Sequence, residues 1–480
     1  MPVALRLRRN GLGGWLRSRW LWLASLCALL LRLWLIWRPE QFWYDEAFSV
    51  LTARLPLGRL LASTAGDVHP PAYYVLLAGW GRVFGWSEIA ARSLSLVLAV
   101  CAMALFWRVL QALELPEDVR NVAYVIALFL PGQVYFSTEA RMYALLQLLI
   151  LAALWALLAG RGVLGGLALG LAALTHNVGL FYAVIVAAVV LVRGGRRSIR
   201  VVAIAAGIGV LVWLPWLPEL LSQVRATNAG YWLWSPTVAT PFYMFYNALL
   251  YFRFIGDLER AAPVSMMLIG AVSCAAVWAV VHHRRWDLLI LALGPLALLY
   301  TVAALGGPNG LLHRGLVPST LFVAVLWAWL ICRADLGRLV GGLVAVMLVA
   351  ASVSFVVVGR NSAGYEFMHW FDGECSTIYA ASATALPLSL YYDDVVYAPT
   401  SNTIRYSLSE RTQTALGLRR ATVDELSIDG LCMVSVLSPM SSAGEADYAR
   451  DLAARYGSEL LYADVSRSMG VQVWRLSILN

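Results

Sequence analysis

Two adjacent carboxylates, Asp45 and Glu46, lie in a short polar segment that is flanked by aromatic residues. A carboxylate in such a segment can act as a general base that takes the proton of a hydroxyl group. The same pair can instead stabilise an interfacial helix that runs through Phe48 and Leu51, because acidic side chains are favourable at a helix N-terminus. The sequence therefore gives Asp45 and Glu46 as candidate catalytic residues, with helix capping as the structural alternative.

Three cationic residues elsewhere in the chain, His69, Arg141 and Arg314, are hydrogen-bond donors suited to a phosphate. An arginine can grip a phosphate through two nitrogens at once. Each of the three also has a structural interpretation: His69 can end a turn, Arg141 can be a buried partner between spans, and Arg314 can anchor a membrane interface. The polar residues near them are candidate substrate contacts: Asp67, Tyr74, Glu139, Tyr143 and His313.

The carboxylate pair and the three cations complement each other chemically. A carboxylate that accepts a proton, with cations that stabilise a departing phosphate, is the minimum set for glycosyl transfer from a lipid-linked phosphate donor. A metal could also hold the phosphate, and side chains of ligand type occur at Glu46, His69, Glu139, His176 and His313. No local spacing favours a metal, and arginine alone can hold a phosphate. We therefore expect no required cofactor and leave a divalent metal open.

The elements that must position these residues are membrane spans. Hydrophobic residues make up 60% of the chain and charged residues 13%, against roughly 45–50% and about 25% in ordinary soluble proteins. This composition excludes a soluble protein, because lipid must solvate so much apolar surface. Apolar stretches of bilayer length predict eleven transmembrane helices, near residues 19–38, 88–110, 120–138, 140–160, 163–180, 180–193, 199–218, 262–281, 287–305, 312–332 and 338–358.

The positive charge of the chain lies in its apolar part. Residues 1–358 hold 27 arginines and 14 acidic residues, a net charge of +13, whereas residues 359–480 hold 9 and 14, a net charge of −5. Basic residues beside spans mark the cytoplasmic side, and several arginines precede the first span. The charge therefore predicts orientation and argues against a nucleic-acid partner. Alternating spans then place the polar clusters and the C-terminal segment outside the cytoplasm, on an integral plasma-membrane protein of the bacterial inner-membrane type.

The chain divides into two predicted domains. Residues 1–358 form the membrane module, with extracytoplasmic loops at 39–87 and 219–261, and residues 359–480 form a small α/β domain. Apolar runs predict strands in that domain at 388–392, 431–436, 459–463 and 471–474, and helical spacing predicts a helix over 445–456. Cys375 and Cys432 both fall in it and can pair outside the cytoplasm. Their pairing depends on a geometry that the sequence does not give.

The spacing of Asp45-Glu46, then His69-Pro70-Pro71, then Glu139-Ala-Arg141-Met-Tyr143 resembles the GT-C superfamily of integral-membrane glycosyltransferases. The similarity is greatest to the protein O-mannosyltransferase-like branch, which includes the transferases that put aminoarabinose on lipid A, and it covers roughly residues 20–330. It implies a polytopic α-helical fold in which Asp45 carries catalysis. His69 matches a basic residue near the donor phosphate that is lysine in some relatives, so a neutral histidine would weaken this contact at high pH. Relatives use polyprenyl- or dolichyl-phosphate sugars and invert the anomeric centre.

We therefore expect an inverting glycosyltransferase that moves a sugar from a polyprenyl-phosphate donor to a hydroxyl of a lipid, glycan or protein acceptor. Membrane lipid is a further expected partner. One alternative is a transporter or flippase of polyprenyl-linked sugars, although such proteins tend to show repeated halves and broken helices near the midplane, and we find no repeat. Another alternative is a non-catalytic scaffold for envelope assembly that uses the C-terminal domain as its binding module. The sequence names neither the sugar nor the acceptor.

Overall fold

A computed structural model gives the fold of the protein. The structure describes residues 19–38, 40–230, 236–250, 262–307, 310–358, 375–380, 382–397, 408–428, 430–437, 451–452, 454–464 and 470–477. The chain forms two compact units. The first comprises Met1–Arg38, Arg92–Asn228 and Leu233–Val358, and the second comprises Pro39–Ala91, Ala229–Trp232 and Gly359–Asn480.

The helices of the described residues, in chain order, are α1 (Arg19–Trp37), α2 (Tyr44–Arg54), α3 (Leu57–Gly66), α4 (Ala72–Phe84), α5 (Glu88–Ala112), α6 (Glu117–Phe129), α7 (Pro131–Phe136), α8 (Tyr143–Leu158), α9 (Gly162–Thr175), α10 (Gly179–Gly194), α11 (Ile199–Trp213), α12 (Leu217–Gly230), α13 (Thr240–Leu250), α14 (Ala262–His282), α15 (Trp286–Ala304), α16 (Val317–Arg333), α17 (Gly337–Val358), α18 (Ser382–Leu388) and α19 (Glu410–Leu416). Each of the eleven predicted spans overlaps one or more of these helices.

The first unit consists of apolar helices. Five helical stretches of the described residues are long and apolar enough to cross a membrane: Arg19–Trp37, Glu88–Ala112, Gly179–Arg225, Trp286–Ala304 and His313–Arg333. Shorter apolar helices occur at Tyr143–Leu158, Gly162–Thr175, Met266–His282 and Gly337–Ala350. The long stretch from Gly179 holds two predicted spans, since Gly195 separates α10 from α11 with a φ of 54°. The expectation of a polytopic α-helical membrane protein is confirmed.

Buried hydrogen bonds hold α7 and the start of α16 together, next to two segments that carry candidate site residues. The side-chain amide nitrogen of Gln133, on α7, lies 2.8 Å from Gln147 Oε1 and 2.9 Å from both Val317 O and Thr320 Oγ1. Such contacts are needed because lipid offers no hydrogen-bond partner to a buried polar group. They join the helix that precedes Glu139 to the start of α16, which follows Arg314.

Two arginines next to predicted spans form ion pairs with the same aspartate, Asp287. Arg193 Nη1 lies 2.6 Å from Asp287 Oδ2, and Arg285 contacts both oxygens of Asp287 at 3.0 and 2.9 Å. Arg285 donates further to the main-chain oxygen of Leu113 at 3.1 Å. These bonds join the ends of α5, α10 and α15 at one place, so part of the positive charge has a structural role.

The second unit contains a sheet and the helices α2 to α4. Its strands are β1 (Thr377–Ala380), β2 (Val395–Tyr397), β3 (Arg419–Arg420), β4 (Leu431–Leu437), β5 (Gly457–Asp464) and β6 (Gly470–Ser477). The strand order is β3-β2-β1-β4-β6-β5, with the first four parallel and β6 antiparallel to both of its neighbours. The small C-terminal α/β region is thus confirmed, as are the strands predicted at 431–436, 459–463 and 471–474.

The strand predicted at 388–392 is wrong. Helix α18 ends at Leu388, and the amides of Ser389 and Tyr392 continue its pattern by donating to Ala385 O and Leu388 O at 2.9 Å. Leu388 is fully buried in this helix together with Ala385 and Leu386, at 0–1% exposure, whereas Tyr391 is 39% exposed. A short apolar run alone does not separate a strand from a buried helix. The helix predicted over 445–456 lies mostly outside the described residues.

Cys375 and Cys432 form a disulfide with a Cα–Cα distance of 5.6 Å. Cys432 is on β4 and pairs in register with Ile378 of β1, while Cys375 lies just before that strand. The disulfide therefore links the neighbouring strands β1 and β4 near the residues where both strands begin. The cysteine pairing that the sequence left open is present.

Candidate active site

Asp45 and Glu46 lie in the first turn of α2, in the second unit. The helix begins after Trp43, which offers no side-chain cap, so the two carboxylates provide the favourable negative charge at this helix N-terminus. Glu46 is fully buried, whereas Asp45 is only half-buried. Of the two predicted catalytic residues, Asp45 is therefore the carboxylate that keeps access from outside the protein.

His69 pairs with Asp67 in the same unit. Helix α3 ends at Gly66, and Asp67 follows it as the C-cap residue. His69 Nδ1 lies 2.7 Å from Asp67 Oδ2, with the two side chains 10% and 22% exposed. An ionised carboxylate only accepts hydrogen bonds, so Nδ1 carries the proton of this bond. The pair fixes the orientation of the imidazole and gives a protonated His69 an anionic partner.

Tyr74 lies on α4 and packs against the Asp45 helix. Its ring makes edge-to-face contacts with Phe48 of α2, at a centroid distance of 5.7 Å, and with Tyr73 at 5.8 Å. Tyr74 is fully buried. The structure therefore gives this predicted substrate contact a packing role, which holds α4 against α2.

Glu139 and Arg141 lie in the first unit, in the turn that joins α7 to α8. The amide of Arg141 donates to the main-chain oxygen of Glu139 at 2.7 Å, which makes the turn tight. Ser95 Oγ on α5 donates to the main-chain oxygen of Arg141 at 3.3 Å. Both predicted side chains, Glu139 and Arg141, are 1% exposed. A buried acid and a buried cation in one turn are expensive in a membrane protein and mark a functional region by default.

Phe136 contacts two more predicted polar residues of the first unit, Tyr143 and His313. Its ring centroid lies 5.0 Å from that of Tyr143 and 6.2 Å from that of His313. The Tyr143 ring in turn lies 6.1 Å from His176. Arg314 follows His313 in the short 3-10 turn that precedes α16. Tyr143 and His313 thus contact the same Phe136 ring, although 170 residues separate them in sequence.

His176 also has a local role, because its Nδ1 accepts a hydrogen bond from the amide of Val178 at 3.1 Å. That bond is what a polar turn between two helices requires. Among the residues that the structure describes, no three His, Cys, Asp or Glu side chains are grouped so that they could hold a metal ion.

Arg32, a buried cation of the first unit, is not among the site residues predicted from the sequence. Its Nε donates to Ser137 Oγ at 2.8 Å and its Nη1 donates to Ala28 O at 3.0 Å. The side chain is 5% exposed, and Ser137 begins the turn that carries Glu139 and Arg141. The available signal was an arginine inside an otherwise apolar span, which is rare and conspicuous.

Comparison with known proteins gives the fold a precedent. No family model and no curated protein matches the sequence. ArnT from Cupriavidus metallidurans in the apo state matches over 95% of this chain and 98% of its own, with 14% identity and a TM-score of 0.61. The same ArnT bound to undecaprenyl phosphate matches over the same shares with 13% identity and a TM-score of 0.60.

A third structure, the S. cerevisiae protein O-mannosyltransferase Pmt1-Pmt2 complex bound to the sugar donor, matches 48% of this chain and 36% of its own. Its identity is 17% and its TM-score is 0.34. The two ArnT structures are similar to this chain along nearly all of its length. The chain therefore has the ArnT fold, and the polytopic α-helical membrane architecture expected from its sequence is confirmed.

Proposed function

We propose that this protein transfers a sugar from a polyprenyl-phosphate donor to a hydroxyl group of an acceptor. The observation that carries the proposal is the ArnT fold, found over 95% of the chain and seen in ArnT with undecaprenyl phosphate bound. The apolar helices of the first unit supply the lipid-compatible surroundings that a polyprenyl tail requires. The fold and the apolar environment together support this proposed substrate class.

Asp45 is the proposed general base. Its carboxylate takes the proton of the acceptor hydroxyl while the hydroxyl oxygen forms a bond to the anomeric carbon. The bond from that carbon to the donor phosphate breaks, and polyprenyl phosphate leaves with the bonding electrons. A single displacement of this kind inverts the anomeric centre. Asp45 suits the role better than Glu46, because Asp45 is half-buried and Glu46 is fully buried.

His69, Arg141 and Arg314 are the proposed partners of the donor phosphate. The phosphate gains negative charge as the sugar leaves, so fixed cations act most strongly on the transition state. The two arginines are charged at every physiological pH, whereas His69 contributes a charge only when protonated, with Asp67 as its anionic partner. The proposed substrate-binding residues remain Asp67, Tyr74, Glu139, Tyr143 and His313.

The reaction is proposed to take place outside the cytoplasm, at the plasma membrane. The arginine groups near the predicted cytoplasmic ends of the spans support this orientation. The Cys375–Cys432 disulfide supports it independently, since disulfides persist mainly in oxidising compartments. The acceptor is a hydroxyl group of a lipid, a glycan or a protein.

Two measurements test the proposed function. Mass spectrometry of lipid that copurifies with the protein should find a polyprenyl phosphate or its sugar conjugate. The purified protein, given a polyprenyl-phosphate sugar labelled in the sugar, should release free polyprenyl phosphate and pass the label to an acceptor or to water. A transporter would return the donor intact, and a scaffold would neither bind nor cleave it. The same assay with a chelator decides whether a divalent metal is needed.

A further inference from the structure

We propose that the C-terminal sheet positions the catalytic helix α2, and that Tyr391 is the positioning residue through which it does so. The proposal rests on the proposed role of Asp45 for its catalytic part. Its structural part lies wholly within the second unit and can be measured without any activity. It gives the C-terminal region a task other than binding a partner.

The hydroxyl of Tyr391 joins two distant points of the chain. It accepts a hydrogen bond from the amide of Phe42 at 3.0 Å and donates one to the carboxylate of Glu88 at 2.5 Å. Phe42 lies just before α2, three residues from Asp45, and Glu88 is the first residue of α5. One hydroxyl therefore ties together both ends of the segment that carries Asp45 and His69.

Tyr391 is connected to the sheet through α18. It follows α18, and its amide donates to the main-chain oxygen of Leu388 at 3.0 Å. Helix α18 packs against α2 on one side and against β1, β2 and β4 on the other. The sheet, α18 and α2 thus form a continuous set of packed elements, with the Tyr391 hydroxyl at the N-terminal end of α2.

A second contact holds the helix that leads to His69. Helix α19 packs against α3, where Thr412 Oγ1 donates to Ser63 O at 3.0 Å and Arg59 Nε donates to Ala415 O at 2.8 Å. A Cβ added at Gly66 would lie 2.5 Å from Thr412 Oγ1, so this close approach requires glycine there. The C-terminal region therefore contacts both α2, which carries Asp45, and α3, which precedes His69.

The consequence for catalysis is geometric. A general base works only when its carboxylate is within hydrogen-bonding distance of the hydroxyl it deprotonates, and a displacement of about 1 Å can cost roughly a hundredfold in rate. Loss of the Tyr391 hydroxyl loosens the start of α2 and displaces Asp45 without removing any proposed phosphate contact. The turnover number should therefore fall while the KM for the donor changes little.

The test uses full-length protein and the substitution Tyr391→Phe, which keeps the ring and removes only the hydroxyl. Tyr456→Phe is the matched control, because the Tyr456 hydroxyl donates to Asp424 at 2.7 Å and neither residue belongs to α2 or α18. Hydrogen exchange of the peptide covering 42–54 is measured alongside kcat and KM for a labelled polyprenyl-phosphate sugar. We expect Tyr391→Phe to speed exchange at the start of α2 and to lower kcat about tenfold or more, with KM within about twofold and Tyr456→Phe unchanged.

Equal exchange in the Tyr391→Phe and Tyr456→Phe proteins would overturn the structural part of the proposal. Faster exchange with an unchanged kcat would overturn the positioning role and leave the proposed function intact. A wild-type protein without transfer activity would overturn the proposed function, while the exchange rates would still decide whether Tyr391 holds α2.

Discussion

His69 Nδ1 lies 2.7 Å from the Oδ2 atom of Asp67, and the proposed role of His69 is to bind the donor phosphate. Imidazole loses its positive charge as the pH rises, whereas a lysine stays charged to about pH 10. In the wild type, the KM for the donor should therefore rise as the pH is raised from 6 to 9. His69→Lys should flatten this profile, which steady-state kinetics over that range would show. A wild-type profile already flat would mean that His69 contributes no charge to donor binding.

Arg314→Ala should raise the donor KM and lower kcat. The change removes one charge-assisted hydrogen bond, which is worth about 1.5–3 kcal/mol and corresponds to roughly a 10- to 100-fold loss in kcat/KM. Arg338→Ala is the matched control, because Arg338 is exposed at the start of α17 and has no proposed role in the reaction. Equal kinetics in the two variants would make Arg314 an interfacial anchor instead of a phosphate ligand.

Two aspartates that bind arginine should differ sharply in their effect on stability. Asp287 is 5% exposed and bound by two arginines, so Asp287→Asn should cost about 3–5 kcal/mol. Asp118 is 51% exposed and pairs with Arg333 at 2.6 Å, so Asp118→Asn should cost at most about 1 kcal/mol. Thermal unfolding of the two variants in the same detergent measures the difference. Equal melting temperatures would contradict a structural role for the Asp287 cluster.

The small contribution of Asp118 should also depend on pH. The hydrogen bond from Arg333 lowers the pKa of the Asp118 carboxyl in the folded protein. The pair therefore stabilises the fold above the ordinary carboxyl pKa, about 3.9, and this contribution is lost as the pH falls through the lowered value. The stability difference between wild type and Asp118→Asn should shrink over that acidic range.

Labelling of single cysteines tests the proposed orientation. In a chain whose free cysteines Cys27, Cys101, Cys274 and Cys332 are replaced, a membrane-impermeant maleimide should label Glu410→Cys on intact cells. Glu410 has a side chain 88% exposed and belongs to the C-terminal region. Ser198→Cys, in the turn between α10 and α11, should react only after the cells are opened. The reverse pattern would invert the topology and move the proposed reaction to the cytoplasm.

Much of the membrane fold is predictable, because an apolar run long enough to cross the bilayer can form few structures other than a transmembrane helix. The predicted span at 120–138 illustrates the limit. The helix in this span is interrupted at Leu130. Pro131 begins α7 and has no amide proton, so it cannot donate the next hydrogen bond of the preceding helix. The polar residues after that break, including Glu139 and Arg141, stand out in the sequence, since charged groups are rare between spans.

The hydrogen bonds that hold the proposed catalytic helix α2 cannot be predicted from a single sequence. Tyr391 and Phe42 are 349 residues apart in the sequence, and no local sequence pattern predicts a hydrogen bond between residues so far apart. The apolar run around Tyr391 even predicts a strand, because such a run fits either a strand or a buried helix. The pairing of Cys375 with Cys432 was open for a related reason, as two thiols bond only where the fold brings their backbones close.

The central claim, that Asp45 is the base of a glycosyl transfer, is tested most directly by Asp45→Asn. The purified variant and the wild type are given the same sugar-labelled polyprenyl-phosphate donor, and both the transfer rate and the donor affinity are measured. Asparagine keeps the size of the side chain but cannot take the proton, so the rate should fall about 10²- to 10⁴-fold with donor affinity retained. Transfer by Asp45→Asn at the wild-type rate would contradict the account.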